Sequence, residues 1–427
     1  MHVVVVDEEL PYPAISGKRI RILNLLGKLA QRHRITLLSH RNEDPNEVHA
    51  AQRHLRQLGI EAIVVERLAQ NVSARRGPHF LWRLVRNLAS PLPFSAQVHD
   101  CPNMRRAIRR YAAKHHVDLW QCEWAPYAVM MNEVSGAPWV MMAHDIQTMI
   151  WQRSYKTEAH PLKRRYIGIQ LAKYRRFEQH VFRSAPLAVT VTHHDAIRAR
   201  RIFGAQRLAV VDNGVDVPGY AANGQDRNHH EILFLGSLDW RANLDAVRLL
   251  LEQIFPRVLA LRSAAHLTIV GRRPPEWLQA QVSRMPQVTL HGNVPDVRPF
   301  LRRAGVMAVP LRIGGGSRLK ILEALASQLP VVSTRVGAEG LNIEPGDHYV
   351  LADGAGPMAE AIVDCLQRPE AYRGMIQAGG QVVEQHYDWS VLALKLEQAW
   401  RTAASAEGLS PAHYGIDHGQ LIRAYSH

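Results

Sequence analysis

Three consecutive glycines, Gly314, Gly315 and Gly316, separate an apolar run from a segment with helical spacing, and Arg318, Lys320 and Glu323 follow them directly. Glycines ahead of a helix N-terminus leave backbone N–H groups open, and the helix dipole favours an anion at that point. With two cations on the first turn, the stretch has the chemistry to hold a diphosphate. Glu323, one turn further on, can take hydroxyls of a sugar. The same residues also make an ordinary strand–turn–helix with a surface loop, and three glycines in a row fit no Walker pattern.

The elements that would position this group can be read around it. Residues 306–310 read as a strand, Ser317 as a helix cap, and Leu319, Leu322, Leu325 and Ala326 as the buried stripe of the helix. Pro330 ends that helix, and residues 331–333 open the next strand. A second candidate lies earlier in the chain. His144 and Asp145 directly follow the apolar strand 139–143, and ligands of open α/β sheets sit beyond the carboxyl ends of strands. The alternative there is a helix-capping Asp145 beside a surface His144. Gly17, in the loop after the first strand, either lets phosphates approach closely or is part of a plain helix cap.

Residues 3–6 are a short, fully apolar strand of the kind found at the centre of a parallel sheet. A helix with Ile20, Leu23, Leu26 and Leu29 on one face follows, then a strand over 35–38. This β–loop–helix–β style continues to residue 216, pauses over a polar stretch and restarts at 232–235. The expected organisation is an α/β domain over 1–216, a linker over 217–230 and a second α/β domain over 231–385. A helix over 386–404 can return to the first domain, and 405–427 is a polar tail. Two such domains give a cleft that can close over a ligand.

The 427 residues carry a formal charge of +14, and residues 151–210 hold 13 Arg or Lys against 3 Asp or Glu. Such a balance suits nucleic acid, an anionic membrane surface or phosphorylated substrates. No finger, basic zipper or RNP-like motif is present, which places nucleic acid last. A basic face on a bilayer fits better, and residues 70–100, with Phe80, Leu81, Trp82 and several arginines, are either core or a segment dipping into a membrane interface. Cys101, Cys122 and Cys365 match no metal spacing, and His193 and His194 lack a third ligand, so no metal is expected. No leader opens the chain and no stretch approaches about 18 apolar residues, which points to a cytoplasmic protein, peripheral at most on the inner face of the membrane.

The runs Asn213-Gly214-Val215-Asp216 and Phe234-Leu235-Gly236, residues 243–246, and above all 314–341 resemble the large retaining glycosyltransferase family 4. Its members have the GT-B fold, two Rossmann-like domains with parallel sheets facing across a cleft. The opening, with Pro11, Pro13, Ser16, Gly17 and Arg21, and the run His144-Asp145-Ile146-Gln147 are similar to the branch found with exopolysaccharide and exosortase systems. The resemblance implies a hexosyltransferase that moves a sugar from a nucleotide-sugar donor to a glycan or polyprenyl-diphosphate-linked acceptor and needs no metal. It implies donor contacts from Gly17, Gly314, Gly315, Gly316, Glu323 and Arg241, and catalytic roles for His144, Lys320 and Arg318.

In that family an E-x7-E pattern grips the donor. Glu323 matches the second glutamate, which usually holds the ribose, but Gly315 stands where the first should be. Arg241 lies one residue from a position that clamps the diphosphate in many members, and Arg318 and Lys320 can take over that charge. His144 matches the histidine near the anomeric centre, and Gly17 the glycine of the first loop. The alternatives are a nucleotide-sugar epimerase of the same fold and a catalytically inactive scaffolding subunit, the latter favoured by the missing glutamate.

Overall fold

The computed structural model describes residues 1–42, 44–67, 78–134, 136–221, 227–313 and 318–405, the side chains of 78–81 excepted. The chain divides into two compact units, Met1–Asp212 with Ala393–His427, and Asn213–Leu392.

The first unit is built on a parallel sheet of seven strands, β1 (His2–Asp7), β2 (Arg34–Ser39), β3 (Ile60–Val64), β4 (Leu119–Cys122), β5 (Trp139–Ala143), β6 (Leu187–Thr190) and β7 (Leu208–Val210). Their order in space is β3-β2-β1-β4-β5-β6-β7, so the chain starts in the middle and winds outward in both directions. Val3 to Val6 are fully buried because β1 is paired on both edges and covered on both faces. Helix Gly17–Leu29 buries Ile22, Leu25, Leu26 and Leu29, a face rotated from the expected Ile20–Leu23 stripe. The rotation also buries Arg21, whose guanidinium donates to the carbonyls of Val211 at 2.7 Å and Asp212 at 2.5 Å. The long basic stretch is two helices, Gln147–Thr157 and Pro161–Ser184, broken at Glu158 and His160.

The second unit repeats the plan with six strands, β8 (Asn228–Leu235), β9 (His266–Gly271), β10 (Val288–Gly292), β11 (Ala304–Val309), β12 (Val331–Ser333) and β13 (Val350–Leu351), in the order β10-β9-β8-β11-β12-β13. Each neighbouring pair of these strands runs parallel, and β11 is buried along its whole length. Residues expected to be a linker are partly structured. Val217–Tyr220 is a helical turn within this unit, β8 begins at Asn228, and the unit boundary falls after Asp212 rather than 216. The reason is local: Val215 N–H bonds the Tyr387 carbonyl at 2.9 Å, and a side chain at Gly214 would meet Leu392 at 2.5 Å, so this stretch is pressed against the end of helix Arg373–Tyr387. Residues 222–226 of that expected linker and 406–427 of the expected tail lie outside the described residues.

The last helix, Trp389–Ala404, starts in the second unit and belongs to the first from Ala393 onward. On the first unit its Trp400 is completely buried, and Glu397 pairs with Arg32 at 2.8 Å and with His33 at 3.2 Å.

Candidate functional site

In an open, doubly wound sheet the loops after two neighbouring central strands diverge in opposite directions, and a crevice forms at their carboxyl ends. In the second unit those strands are β8 and β11. Helix Leu319–Ala326 follows β11 and carries Lys320 and Glu323. It is shorter than the sequence suggests, ending four residues before Pro330, with Arg318 at its cap position. Gly314, Gly315, Gly316 and Ser317 lie outside the described residues. Just before them Arg312 forms a two-toothed pair with Asp245, at 2.7 and 3.0 Å.

Lys320 reaches back to the end of β8. Its Nζ donates to Asn243 Oδ1 at 2.8 Å and lies 4.8 Å from the centre of the Phe234 ring. Asn243 is held in turn by donating Nδ2 to the Ser237 carbonyl at 2.8 Å. This meeting requires Gly236: a Cβ there would sit 2.8 Å from Lys320 Nζ and 2.9 Å from Asn243 Cγ. Burial, with Arg318 nearby, pushes the Lys320 ammonium down to about 7. The attraction of Glu323 offsets this only in part, and the amine is poised between its two protonation states. Glu323 accepts from the Tyr220 hydroxyl at 3.0 Å, and burial pushes its carboxyl up. Tyr220 comes from the helical turn that the sequence reads as linker.

Two expected members of this group sit differently. Arg318 is buried, donating to the Val336 carbonyl at 2.9 Å with Glu339 at 3.7 Å, so it braces the turn after β12. Arg241 is the exposed first residue of helix Arg241–Leu249 and is not brought among Lys320, Asn243 and Gly236.

In the first unit the equivalent strands are β1 and β4, with β5 beside β4. Asp7 ends β1 and Glu8 follows it, Glu123 follows β4, and His144 follows β5. His144 Nε2 lies 3.0 Å from Glu123 Oε2. Glu123 is only 3% exposed. Burial works against its charge, yet the His144 contact and Lys18 hold its carboxyl below the usual range. Gly17 is the exposed first residue of its helix, with Ser16 as the cap accepting from Arg19 N–H at 3.2 Å. Its neighbour in that first turn, Lys18, bridges Asp7 at 2.6 Å and Glu8 at 2.9 Å.

Asp145 does not cap the helix after it. Glu178, from helix Pro161–Ser184, accepts from the N–H groups of Gln147 at 2.7 Å and Thr148 at 2.8 Å, and burial pushes its carboxyl up to about 7. Sequence reasoning missed Glu123, Lys18, Asn243 and Tyr220. Glu123 alone carried a usable signal, since it ends an apolar strand just as His144 does.

Residues 229–368, nearly all of the second sheet, match the sequence model of the family described as glycosyl transferases group 1. Over these residues the chain is similar to the group 1 glycosyl transferases. Phosphatidyl-myo-inositol mannosyltransferase of Mycobacterium leprae (strain TN) is 29% identical over 206 residues, 46% of this chain and 54% of that protein. The chain thus spans about half the length of the curated relatives of that name it matches. Among solved structures, sucrose-phosphate synthase from Thermosynechococcus elongatus superimposes with a TM-score of 0.70 at 16% identity, covering 95% of this chain and all (100%) of that one. Anabaena Alr3699/HepE in complex with UDP-glucose does so with a TM-score of 0.63 at 15% identity, covering 94% of this chain and 99% of that one. The two parallel-sheet units have the GT-B fold.

Proposed function

We propose that the protein transfers a sugar from a nucleoside-diphosphate sugar to a hydroxyl of a glycan or polyprenyl-diphosphate-linked acceptor, with retention at the anomeric carbon. The observation that carries this reading is Lys320. It is a buried amine held by Asn243 in space that only a glycine at 236 leaves, one helical turn from Glu323, at the divergence point of the second sheet. A leaving diphosphate gains charge as the anomeric C–O bond breaks. A fixed cation that becomes fully charged beside it stabilises the transition state more than the ground state. The acceptor oxygen bonds the anomeric carbon, and its proton leaves with the diphosphate. Glu323 takes ribose hydroxyls in place of the Tyr220 hydroxyl. His144 is the proposed sugar-directed residue of the first unit. The reading needs no metal, since the protein's own groups supply the charge.

HepE was solved in complex with UDP-glucose, which makes uridine donors the first to test. Calorimetry with UDP, GDP, ADP and TDP, in EDTA, on wild type beside Glu323→Ala, is expected to give one preferred base. The variant should bind it about 10–100-fold more weakly, the size of a lost charged hydrogen bond. Absence of binding by every nucleotide would overturn the donor site and leave the scaffolding alternative.

A membrane-held acceptor fits the surface of the first unit. Helix Pro78–Leu88 presents Trp82, Val85 and Leu88, the first two 60% exposed, and Arg86 lies over the Trp82 ring. Helix Pro161–Ser184 opens with exposed Leu162, Lys163, Arg164 and Arg165. The two helices are joined where Gln170 and Lys173 donate to Asn87. Apolar side chains ringed by arginine suit an anionic bilayer. Among the described residues no helix is long and apolar enough to cross a membrane, so contact would be superficial. Vesicles with phosphatidylserine should carry the protein in flotation at low salt, and Trp82→Asp should weaken this about tenfold. Equal flotation of both would remove the helix from the interface.

A further inference from the structure

Gln121 lies in the middle of β4, flanked by Trp120 and Cys122, and is fully buried. A buried amide in a central strand must have its polar atoms satisfied. Here Trp400 Nε1 donates to Gln121 Oε1 at 2.5 Å, and Gln121 Nε2 donates to Glu123 Oε1. Residues 121 and 123 point to the same face because side chains alternate along an extended chain. Glu123 Oε2 in turn meets His144 Nε2 at 3.0 Å.

The direction of this chain of bonds is fixed at both ends. An indole N–H can only donate, so it selects the amide oxygen of Gln121 and forces the amide nitrogen toward Glu123. An ionised Glu123 can only accept, so the proton between it and His144 belongs to Nε2. In the neutral ring that leaves Nδ1 as an acceptor. We propose that Trp400, on the C-terminal helix, is a positioning residue for the site: through Gln121 it holds the Glu123 carboxylate against His144, and that contact sets the tautomer and orientation of the ring. The proposal rests on the transferase reading for what His144 does, but not for the bonds themselves. The other charged groups around the pair are Asp7, Lys18 and Arg21, which act on Glu123, and Asp145 beside the imidazole.

The test uses the full chain with nitrogen-15-labelled histidine, the His144 signal being assigned by its loss in His144→Asn. Wild type is expected to show His144 protonated on Nε2. Trp400→Phe keeps most of the ring and deletes the N–H. With Glu123 no longer held against the ring, it should give a mixture of tautomers and lower kcat about tenfold, with the donor KM within about twofold. Glu397→Gln, which loosens the same helix by removing its pairs with Arg32 and His33, should lower the melting temperature and leave both tautomer and kcat as in wild type. If Trp400→Phe behaves like Glu397→Gln, Trp400 is only a packing residue and the proposal is overturned. Should Trp400→Phe fail to fold, Gln121→Met interrupts the same chain and is read the same way. The tautomer is measured without substrate, so a protein that transfers no sugar would refute the transferase reading while the spectrum still decides this one.

Discussion

Lys320→Met is expected to weaken binding of the preferred nucleoside diphosphate about 10–100-fold and, at the same time, to raise the melting temperature of the second unit. The binding loss is that of one charge-assisted hydrogen bond to phosphate. The gain in stability has the opposite origin. Burial holds the Lys320 pKa at about 7 in the folded chain, against 10.5 in the unfolded one. Between these values the unfolded state binds more protons, so stability rises with pH across that window. The destabilisation is complete below pH 7 and gone above 10.5, and methionine removes it. A rise of roughly 2–4 °C at pH 6.5 corresponds to about 1 kcal/mol in a unit of this length. It should vanish toward pH 10.5.

On the proposed reading the same amine makes donor binding proton-linked. At pH 8 the free protein holds Lys320 mostly neutral, and an arriving diphosphate restores the proton. Calorimetry in two buffers of different ionisation enthalpy should show uptake approaching one proton in wild type and none in the variant. Affinity should fall as pH rises above 7. Binding without proton uptake at pH 8 would mean that Lys320 does not meet the phosphates.

The second large effect is expected in the first unit. Lys18→Met removes the cation that bridges Asp7 and Glu8 and leaves Asp7, 1% exposed, without its partner. Breaking a buried pair from one side typically costs about 3–5 kcal/mol. The two carboxylates give the loss a pH signature. Burial raises Asp7 to about 7 from 3.8, despite Lys18 and with Glu123 adding to the rise, so its stabilisation is full below 3.8 and lost as pH climbs through 7. Burial works against Glu8 too, but Lys18 brings it to about 2 from 4.5, so its contribution is present above 4.5 and lost as pH falls through 2. Without Lys18 both charges are unsupported, and the deficit should be largest at pH 8 and shrink below about 4, where both groups become neutral. Hydrogen-exchange protection of β1 amides, compared at pH 5 and 8, measures it where it acts. An equal deficit at both values would assign the effect to lost packing of the lysine stem.

Lys320, Glu323 and His144 meet partners that are adjacent in space and distant in sequence, which is why one half of each pair was legible and the other was not. Lys320 and Glu323 were found because a glycine run, a helix stripe and an apolar strand announce a strand–turn–helix within one short stretch. Their partners Asn243 and Tyr220 were not, because β8 and β11 are neighbours in the sheet although β9 and β10 lie between them in sequence. His144 was found from its place at the end of a strand. Glu123 satisfies the same rule, but its value depends on the β4–β5 pairing that sets Gln121 opposite Val140. The glycines at 314–316, the most visible signal in the sequence, lie outside the described residues.

The sequence by itself determined the class of structure. Fully apolar runs such as 3–6 and 306–309 can be stable only as strands covered on both faces, and the helices between them force parallel pairing. Periodicity within a few residues carries that information, and it survives without knowing any long-range contact. The tertiary structure alone decided which polar side chains became a site. It turned Arg318 into a brace and left Arg241 on the surface. It drew Trp400 under β4 and set Lys320 against a glycine 84 residues earlier in the chain, at position 236. Protonation states follow from that, because burial and the few atoms within hydrogen-bonding reach set a pKa, and neither is a property of spacing along the chain.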